Sequence, residues 1–258
     1  KRGDVPKKLR GPKGTHVKVA IYRPGGKDLI DFDITRDKIP LYSVDVSFMV
    51  KDDIGYVSVN RFAQTTHDEF VAALGKLRKQ GMKKLILDLR NNPGGYLEQA
   101  YKLSDELLPK GKKVVYTKGR RAEFNEDYTS AGGSFSDVSL IVLVDHGSAS
   151  ASEIVSGAIQ DWDRGLIVGQ TTFGKGLVQR QIDLTDKSAF RLTIARYYTP
   201  SGRLIQRPYG TDIDDYRKAP FVANEVEGEN VDHKEEKDST RPVFKTSGGR
   251  TVFGGGGI

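Results

Sequence analysis

The chain has 258 residues, of which 37% are hydrophobic and 29% are charged, and its formal net charge is +7 at pH 7. This composition is typical of a globular protein with one large domain or two small ones, and no apolar run approaches the roughly 20 residues of a membrane helix. The chain contains no cysteine, which excludes disulfides, thiol catalysis and cysteine-ligated metals. The basic residues carry no nucleic-acid-binding motif, so we interpret them as a solvated surface.

The first residues predict a short helix, a turn and a strand. Asp4 and Pro6 are typical of a helix start, and a turn rich in glycine and proline follows at residues 10–14. Residues 15–23 then alternate apolar and polar side chains as a strand does. The chain opens with residues that read as the middle of a longer protein, so we expect an excised fragment.

The next segment predicts two strands and an amphipathic helix. Residues 29–34 and 56–60 alternate in polarity and are expected to be strands. Thr66 and Glu69 have the spacing of a capping box, and we expect the helix that follows them to end at Gly81.

Three further features precede the central part of the chain. A buried type of strand at 84–89 runs into an Asn-Asn-Pro-Gly-Gly turn at 91–95, and a helix follows. Residues 114–116 predict a short strand. Residues 117–137 are polar and contain glycines, so we expect them to form an excursion or flap.

The stretch from 140 to 179 holds the candidate chemistry. Two apolar runs, 140–144 and 166–168, predict buried strands, and a helix is expected to begin between Ser150 and Ser152. This alternation of strand and helix predicts a parallel sheet, and sites in such sheets lie at the carboxyl ends of the strands. After residue 179 the alternation in polarity predicts hairpin strands.

The serines at this strand-to-helix junction allow two interpretations. Ser148, Ser150 or Ser152 could cap the helix, because serine is a favoured capping residue. A serine here could instead be a nucleophile, since the first N–H groups of a helix lack intrahelical partners and can stabilise an oxyanion.

Lys175 is the candidate general base. A lysine can accept the serine proton when burial favours its neutral form. Gly174 and Gly176 flank it and allow the chain to turn sharply beside another element. The alternative is a solvated lysine in a glycine turn.

These two motifs resemble a known family. Gly-Ser-Ala-Ser-Ala-Ser-Glu-Ile at 147–154, followed by Thr-Phe-Gly-Lys-Gly-Leu-Val-Gln at 172–179, is similar to the carboxyl-terminal processing peptidases, or tail-specific proteases. The resemblance implies that Ser150 is the nucleophile, that Lys175, 25 residues later, is the base, and that Gln179 positions the lysine.

The same resemblance implies the oxyanion hole and the domains. Gly95 and Ala151 would supply the oxyanion N–H groups. The expected fold is α/β, with the mixed sheet core and flanking helices of the Clp-protease and crotonase group. Residues 1–35 would be the carboxyl-terminal part of a PDZ domain and 36–210 the protease core. The charged and glycine-rich residues 211–258 would pack on that core or be mobile.

The resemblance also implies partners and location. The expected substrates are proteins or peptides with apolar carboxyl termini, and no cofactor, metal or nucleic acid is required. The expected location is periplasmic or otherwise extracytoplasmic, and any membrane anchor would lie in an amino-terminal segment missing here. The physiological substrate and the oligomeric state are left open.

Three other functions compete with this hypothesis. Gly169, Gly174 and Lys175 nearly match a P-loop, but Gly176 replaces the magnesium-binding hydroxyl and residues 177–182 alternate like a strand. His146 could serve a Ser-His-Asp triad, although no Gly-x-Ser-x-Gly pattern surrounds the serine. A peptide-binding module with weak activity is the third alternative.

Three residues carry further expectations. In an ideal strand, Gln179 would lie about 13 Å from Lys175 along the chain, so its positioning role needs a turn or a helical wind there. Glu153 and Asp161, in the first turn and at the end of the predicted Ser150 helix, are expected to be structural.

Overall fold

The computed structural model describes residues 4–39, 41–210, 216 and 241–258. The chain separates into two compact units, Lys1–Leu41 and Tyr42–Ile258. The boundary lies a few residues after the predicted one at 35/36, because Arg36 is bound into the first unit. The assignment of that unit to a PDZ domain stays a prediction.

The first unit is a helix followed by a two-stranded antiparallel sheet. Helix α1 spans Asp4–Leu9, and strands β1 (His16–Ile21) and β2 (Ile30–Thr35) pair along their whole length. The Arg36 guanidinium donates hydrogen bonds to the carbonyls of the α1 end and the β1 start, at 2.7 and 2.8 Å. One side chain therefore closes the helix-turn-strand unit.

The second unit alternates strands and helices as the sequence predicts. In chain order, its described elements are β3 (Val44–Lys51), β4 (Ile54–Val59), α2 (Thr66–Lys79), β5 (Lys84–Asp88), α3 (Leu97–Leu107), β6 (Lys113–Gly119), a 3-10 turn (Ala122–Phe124), β7 (Asp127–Thr129), β8 (Ser139–Val144), α4 (Ala151–Asp161), β9 (Leu166–Gly169), β10 (Leu177–Asp183), β11 (Ala189–Tyr198), β12 (Val243–Lys245) and β13 (Thr251–Phe253).

The main sheet has the order β3-β4-β5-β8-β9. Strands β4, β5, β8 and β9 are parallel, and β3 joins their edge as an antiparallel hairpin with β4. The predicted parallel sheet and mixed α/β fold are thus confirmed. Helices α2, α3 and α4 lie in the connections between the parallel strands of this sheet. The loops that follow the strands therefore lie together at the carboxyl ends of the strands.

The core lies between this sheet and the helices. Alternate side chains of β4, β5 and β8 are buried on one face, as the period of a strand requires. They pack with the apolar faces of the helices and include Val57, Val59, Leu85, Leu87, Val142, Phe70, Leu74, Leu103, Val155 and Ile159. In the described part of the chain, no helix is both long and apolar enough to cross a membrane.

A second, antiparallel sheet has the order β10-β11-β6-β7. The predicted flap at 117–137 is therefore partly wrong, because residues 117–119 continue β6 and pair with β11. β7 adds a further edge strand to β6. Cross-strand pairing, which the local polarity does not reveal, holds this segment in the sheet.

The predicted capping box at the start of α2 is also wrong. Thr65 occupies the N-cap, and Thr66 is buried with its hydroxyl accepting from Ala63 N at 2.8 Å. The Glu69 carboxylate accepts from the backbone N–H groups of Ser43 and Val44 at 2.7 and 2.9 Å. Tertiary contacts have taken the groups that a local cap would use.

The described end of the chain, residues 241–258, packs on the core. The β12–β13 hairpin is followed by a glycine-rich run whose Gly257 N–H donates to Ile205 O at 3.0 Å. Ile258 exchanges two hydrogen bonds with Thr172, at 2.8 and 3.1 Å. Residues 211–215 and 217–240 of the predicted charged segment lie outside the described residues.

A buried ion pair ties the end of α4 to the chain after β11. Asp161 and Arg203 are joined at 2.7 Å, with side chains 0% and 3% exposed. Burial lowers the pKa of Arg203, and the charge of Asp161 opposes that change. Asp161 also accepts from Ser201 N at 3.0 Å. The contacts of Asp161 are structural, as the sequence suggests.

We expect Arg203→Leu to lower the free energy of unfolding by about 3–5 kcal/mol, because it leaves a buried carboxylate without its partner. Denaturant unfolding measures the change. Lys102→Ala, which breaks an exposed pair with Glu98, is the control and should cost about 0–1 kcal/mol. Equal losses in the two variants would contradict the assignment.

Candidate active site

The predicted site residues meet at the carboxyl edge of the main sheet. The loops after β5, β8 and β9 carry Gly95, Ser150 and Lys175. With Gln179 from β10, these residues line one cleft of about 590 Å³. Parallel strands end at the same edge, so loops distant in sequence converge there.

Ser150 has a strained backbone at the start of α4. It occupies the N-cap with φ 55° and ψ −110°, a region that residues other than glycine rarely adopt and that costs about 1–3 kcal/mol. Strain at a strand-to-helix turn is the feature that exposes the serine of a nucleophile elbow. The geometry occurs here without the glycine pattern of that motif.

The neighbouring serines have structural contacts. Ser148 and Ser152 are fully buried, and their hydroxyls donate to Leu89 O at 2.7 Å and to Asn92 O at 2.9 Å. Ala149 N also donates to Asn92 O, at 3.0 Å. These bonds hold the serine loop against the loop after β5, and they leave Ser150 as the serine that lines the cleft.

Gly94 allows this close approach, and Gly95 allows a second one, to Phe62. A Cβ on Gly94 would lie 2.8 Å from Ala151 N and 2.6 Å from Ala149 O. A Cβ on Gly95 (φ 153°) would lie 2.1 Å from Phe62 O, so the position requires glycine. Within the described residues, the N–H groups of Gly95 and Ala151 have no protein acceptor, which suits the predicted oxyanion donors.

Lys175 and Gln179 reach the cleft from either side of a backbone irregularity. Lys175 lies just before β10, and the β10–β11 register shifts between Val178 and Gln179. Residues 177–183 form a strand with a bulge, which is neither the turn nor the helical wind that the positioning role was expected to need, so the role of Gln179 stays a prediction. Among the described residues, no hydrogen bond joins the side chains of Ser150, Lys175 and Gln179.

Glu153 connects the serine loop to the lysine loop. Its fully buried carboxylate accepts four hydrogen bonds: from Ser150 N (2.7 Å), Lys175 N (2.9 Å), Gly174 N (2.7 Å) and Thr172 Oγ1 (2.6 Å). Two carboxylate oxygens offer about four acceptor sites, so this set saturates an ionised side chain. Burial raises the pKa of Glu153, and the hydrogen bonds it accepts oppose that rise.

A second charged cluster lies at the end of β5. Asp88 is bound by Arg90 Nη2 at 2.6 Å and by the Tyr56 hydroxyl at 2.6 Å. Burial favours the neutral acid, but these hydrogen bonds outweigh it and hold the pKa of Asp88 below its usual value. Since Arg90 opens the Asn-Asn-Pro-Gly-Gly turn, the cluster anchors the loop that carries Gly95.

The structure also bears on the competing motifs. Residues 177–183 form strand β10 where a P-loop requires a helix. His146 Nδ1 lies 2.6 Å from Thr171 O, and His146 does not line the cleft. A larger cavity of about 800 Å³ is lined by the starts of β5, β8 and β9 and contains none of the predicted site residues.

Sequence reasoning missed the connecting role of Glu153 and the Asp88 cluster. The spacing from Ser150 to Glu153 is that of a capping box, which could have indicated that the glutamate binds the serine N–H. The bonds to Gly174 and Lys175 had no local signal, because backbone amides from a distant loop leave no side-chain pattern.

The fold and the cleft define a class of protein. A strained serine over the carboxyl edge of an α/β sheet, beside candidate oxyanion donors, is the geometry expected of a serine hydrolase. The family model described as Peptidase family S41 matches residues 53–215. The chain therefore belongs to peptidase family S41, and the resemblance to the carboxyl-terminal processing peptidases is confirmed.

Individual relatives agree with this assignment. The chain is 42% identical to a carboxy-terminal-processing protease of Bartonella bacilliformis, over 77% of this chain and 46% of the relative. It is 38% identical to a carboxyl-terminal-processing protease of Picosynechococcus, over 75% and 47%. The photosystem II D1 C-terminal processing protease matches with a TM-score of 0.57 and 34% identity, over 79% of this chain and 56% of that structure.

The chain spans about half the length of the curated relatives that it matches. The segment that matches the family model, residues 53–215, contains all the residues that line the cleft, since they fall between Pro93 and Tyr197.

We expect Glu153→Gln to lower the free energy of unfolding by about 1–3 kcal/mol, because an amide nitrogen would then face N–H donors and leave one unsatisfied. Denaturant unfolding measures the loss. Glu123→Gln, at a half-exposed side chain, is the matched control and should change little. A stability equal to that of the parent would contradict the hydrogen-bond network.

Tyr56→Phe should destabilise the fold by about 1 kcal/mol near neutral pH, because it removes one hydrogen bond to ionised Asp88. A carboxylate with a lowered folded pKa stabilises the fold above its unfolded pKa, near 3.9, and loses that contribution as pH falls through the folded pKa. The deficit should therefore shrink in acid.

Unfolding curves from pH 7 down to pH 3 test this dependence on Asp88. Tyr42→Phe, at an exposed tyrosine, is the control and should show no pH-dependent deficit. A Tyr56→Phe deficit that stays constant across the range would exclude the linkage to the carboxylate.

Proposed function

We propose that this chain carries the catalytic core of a serine endopeptidase that uses a Ser150–Lys175 dyad. The observation that supports it best is the strained Ser150 in one cleft with Lys175. The N–H groups of Gly95 and Ala151 lie nearby and have no acceptor among the residues that the structure describes. Strain at a non-glycine residue persists only where the surrounding structure over-determines it, and such positions cluster at functional sites.

The proposed reaction proceeds through an acyl-enzyme. The Ser150 hydroxyl attacks the scissile carbonyl while the amine of Lys175 accepts its proton. The N–H groups of Gly95 and Ala151 bind the oxyanion of the tetrahedral intermediate. Lys175 returns the proton to the leaving amine, and a water molecule hydrolyses the acyl-enzyme by the same steps. Gln179 positions the lysine.

The cleft suggests the substrate class. Its lining combines apolar side chains, among them Leu97, Ile154 and Leu177, with the candidate catalytic groups. This suits an apolar substrate side chain beside the scissile bond. With the names of the relatives, it supports cleavage of proteins near apolar carboxyl termini. The resemblance to the carboxyl-terminal processing peptidases places the proposed activity outside the cytoplasm. The dyad itself requires no metal or organic cofactor.

Ser150→Ala and Lys175→Ala should each reduce cleavage of an unfolded protein with an apolar carboxyl tail by at least about 10³-fold, because each removes a member of one catalytic unit. Gln179→Ala should cause a smaller loss. Activity should be unchanged by chelators. The assay is run on this chain and on the longest natural form of the protein, with products identified by mass spectrometry.

Ser201→Ala and Lys187→Ala are the matched controls, since both residues lie on turns away from the cleft, and both should keep full activity. Cleavage that survives in Ser150→Ala would overturn the dyad. If the longest natural form binds peptides but cleaves none, a peptide-binding module becomes the better account.

A further inference from the structure

Tyr197 is a buried tyrosine on the floor of the cleft that the proposed mechanism does not use. It lies on β11, is 1% exposed and lines the same cleft as Ser150 and Lys175. Its backbone N–H donates to Gly176 O at 3.0 Å, which fixes β11 beside the lysine loop. A buried tyrosine hydroxyl requires a partner, so its hydrogen bonds indicate its role.

The hydroxyl of Tyr197 lies between the two candidate catalytic residues. It donates to Lys175 O at 2.5 Å and lies 3.2 Å from Ser150 O. Burial raises the pKa of this hydroxyl well above its ordinary value, and the charge of Glu153 raises it further. The hydroxyl therefore remains protonated, and a hydrogen-bond donor, at neutral pH.

Each of these carbonyls belongs to a peptide unit that affects the chemistry. Because the peptide bond is planar and trans, the Ser150 carbonyl points opposite to the Ala151 N–H. Ser150 O also accepts from Glu153 N and Ile154 N at 2.9 and 3.0 Å, so the Tyr197 contact acts together with the first turn of α4 in aiming the candidate oxyanion donor. The peptide unit between Lys175 and Gly176 is also fixed at its other end, because the Gly176 N–H donates to Gln206 Oε1 at 2.9 Å. Both the carbonyl and the N–H of that peptide unit therefore have partners.

Tyr197 and Glu153 contact different backbone groups of Ser150 and Lys175. Glu153 accepts the N–H groups of Ser150 and Lys175, and Tyr197 contacts their carbonyls. Two buried side chains thus hold the backbones of the nucleophile and the base at both their amide and carbonyl ends.

We infer that Tyr197 is a positioning residue that sets the Ala151 N–H and the Lys175 backbone for attack by Ser150. This inference rests on the proposed Ser-Lys function. Without the hydroxyl, the ring still fills its space, but Lys175 O loses its donor and Ser150 O loses a polar contact. The loss should affect the transition state more than substrate binding, since an oxyanion donor acts only when negative charge develops.

The test compares Tyr197→Phe with the parent chain in peptide cleavage. We expect kcat to fall about 10- to 100-fold, because a misdirected oxyanion donor loses part of the roughly 10²- to 10³-fold effect of such a group. KM should stay within about twofold. Affinity for a peptide boronic acid, whose tetrahedral adduct mimics the oxyanion, should fall in parallel with kcat.

The matched control is Tyr198→Phe. Tyr198 is the adjacent residue, half-buried and stacked on Tyr116 at 5.1 Å, and within the described chain its hydroxyl makes no hydrogen bond. It should retain the kinetics of the parent. Rates are divided by the folded fraction from near-UV circular dichroism, so that a loss of folding does not count as a loss of positioning.

Three outcomes separate the hypotheses. A Tyr197→Phe enzyme with kcat and boronic acid affinity within twofold of the parent would overturn the inference while leaving the dyad intact. A loss that vanishes after correction for the folded fraction would also overturn it, and would leave the tyrosine a purely structural role. Activity that survives in Ser150→Ala would overturn the proposed function itself.

Discussion

The saturated carboxylate of Glu153 is the interaction on which the site depends. A buried charge is tolerated only when its hydrogen-bonding capacity is filled, and here every donor comes from the serine or lysine loop. Neither loop can move away without leaving an unsatisfied carboxylate in the core. Because a buried carboxylate without donors would be costly, the serine loop and the lysine loop are held in one arrangement.

The parallel sheet makes that interaction geometrically feasible. Its strands end at one edge, so the turns that follow β5, β8 and β9 approach one another although they are far apart in sequence. Gly94 lacks the Cβ that would keep the turns after β5 and β8 apart, and Gly95 lacks the Cβ that would meet Phe62 O after β4. The Asp88 cluster and the buried Asp161–Arg203 pair then fix the ends of the elements that carry them.

Much of this arrangement could be predicted from the sequence, and the reasons for the failures are specific. Apolar runs at 140–144 and 166–168 predict the parallel strands, and β8 and β9 form there. The predicted burial holds for alternate residues of β8 but is wrong for β9, where Leu166 and Val168 are 57% and 46% exposed because β9 is the last strand of the sheet. The glycine-flanked Lys175 is visible because a motif carries it. The network around Glu153 is not, since its partners are backbone amides. The capping box predicted at Thr66 is the opposite case. The local spacing of a capping box is present, but other contacts occupy the side chains that would form it.

The backbone of Ser150 has a practical consequence for trapping complexes. An alanine at this position removes the hydroxyl but keeps a Cβ in the same unfavourable conformation, so the inactive protein retains the strain. A glycine populates positive φ freely, and it would relieve that strain while opening space above the helix start. The glycine variant would therefore be the better protein for crystallising a complex with an uncleaved peptide. The scissile carbonyl of the peptide could then occupy the space of the Ser150 hydroxyl.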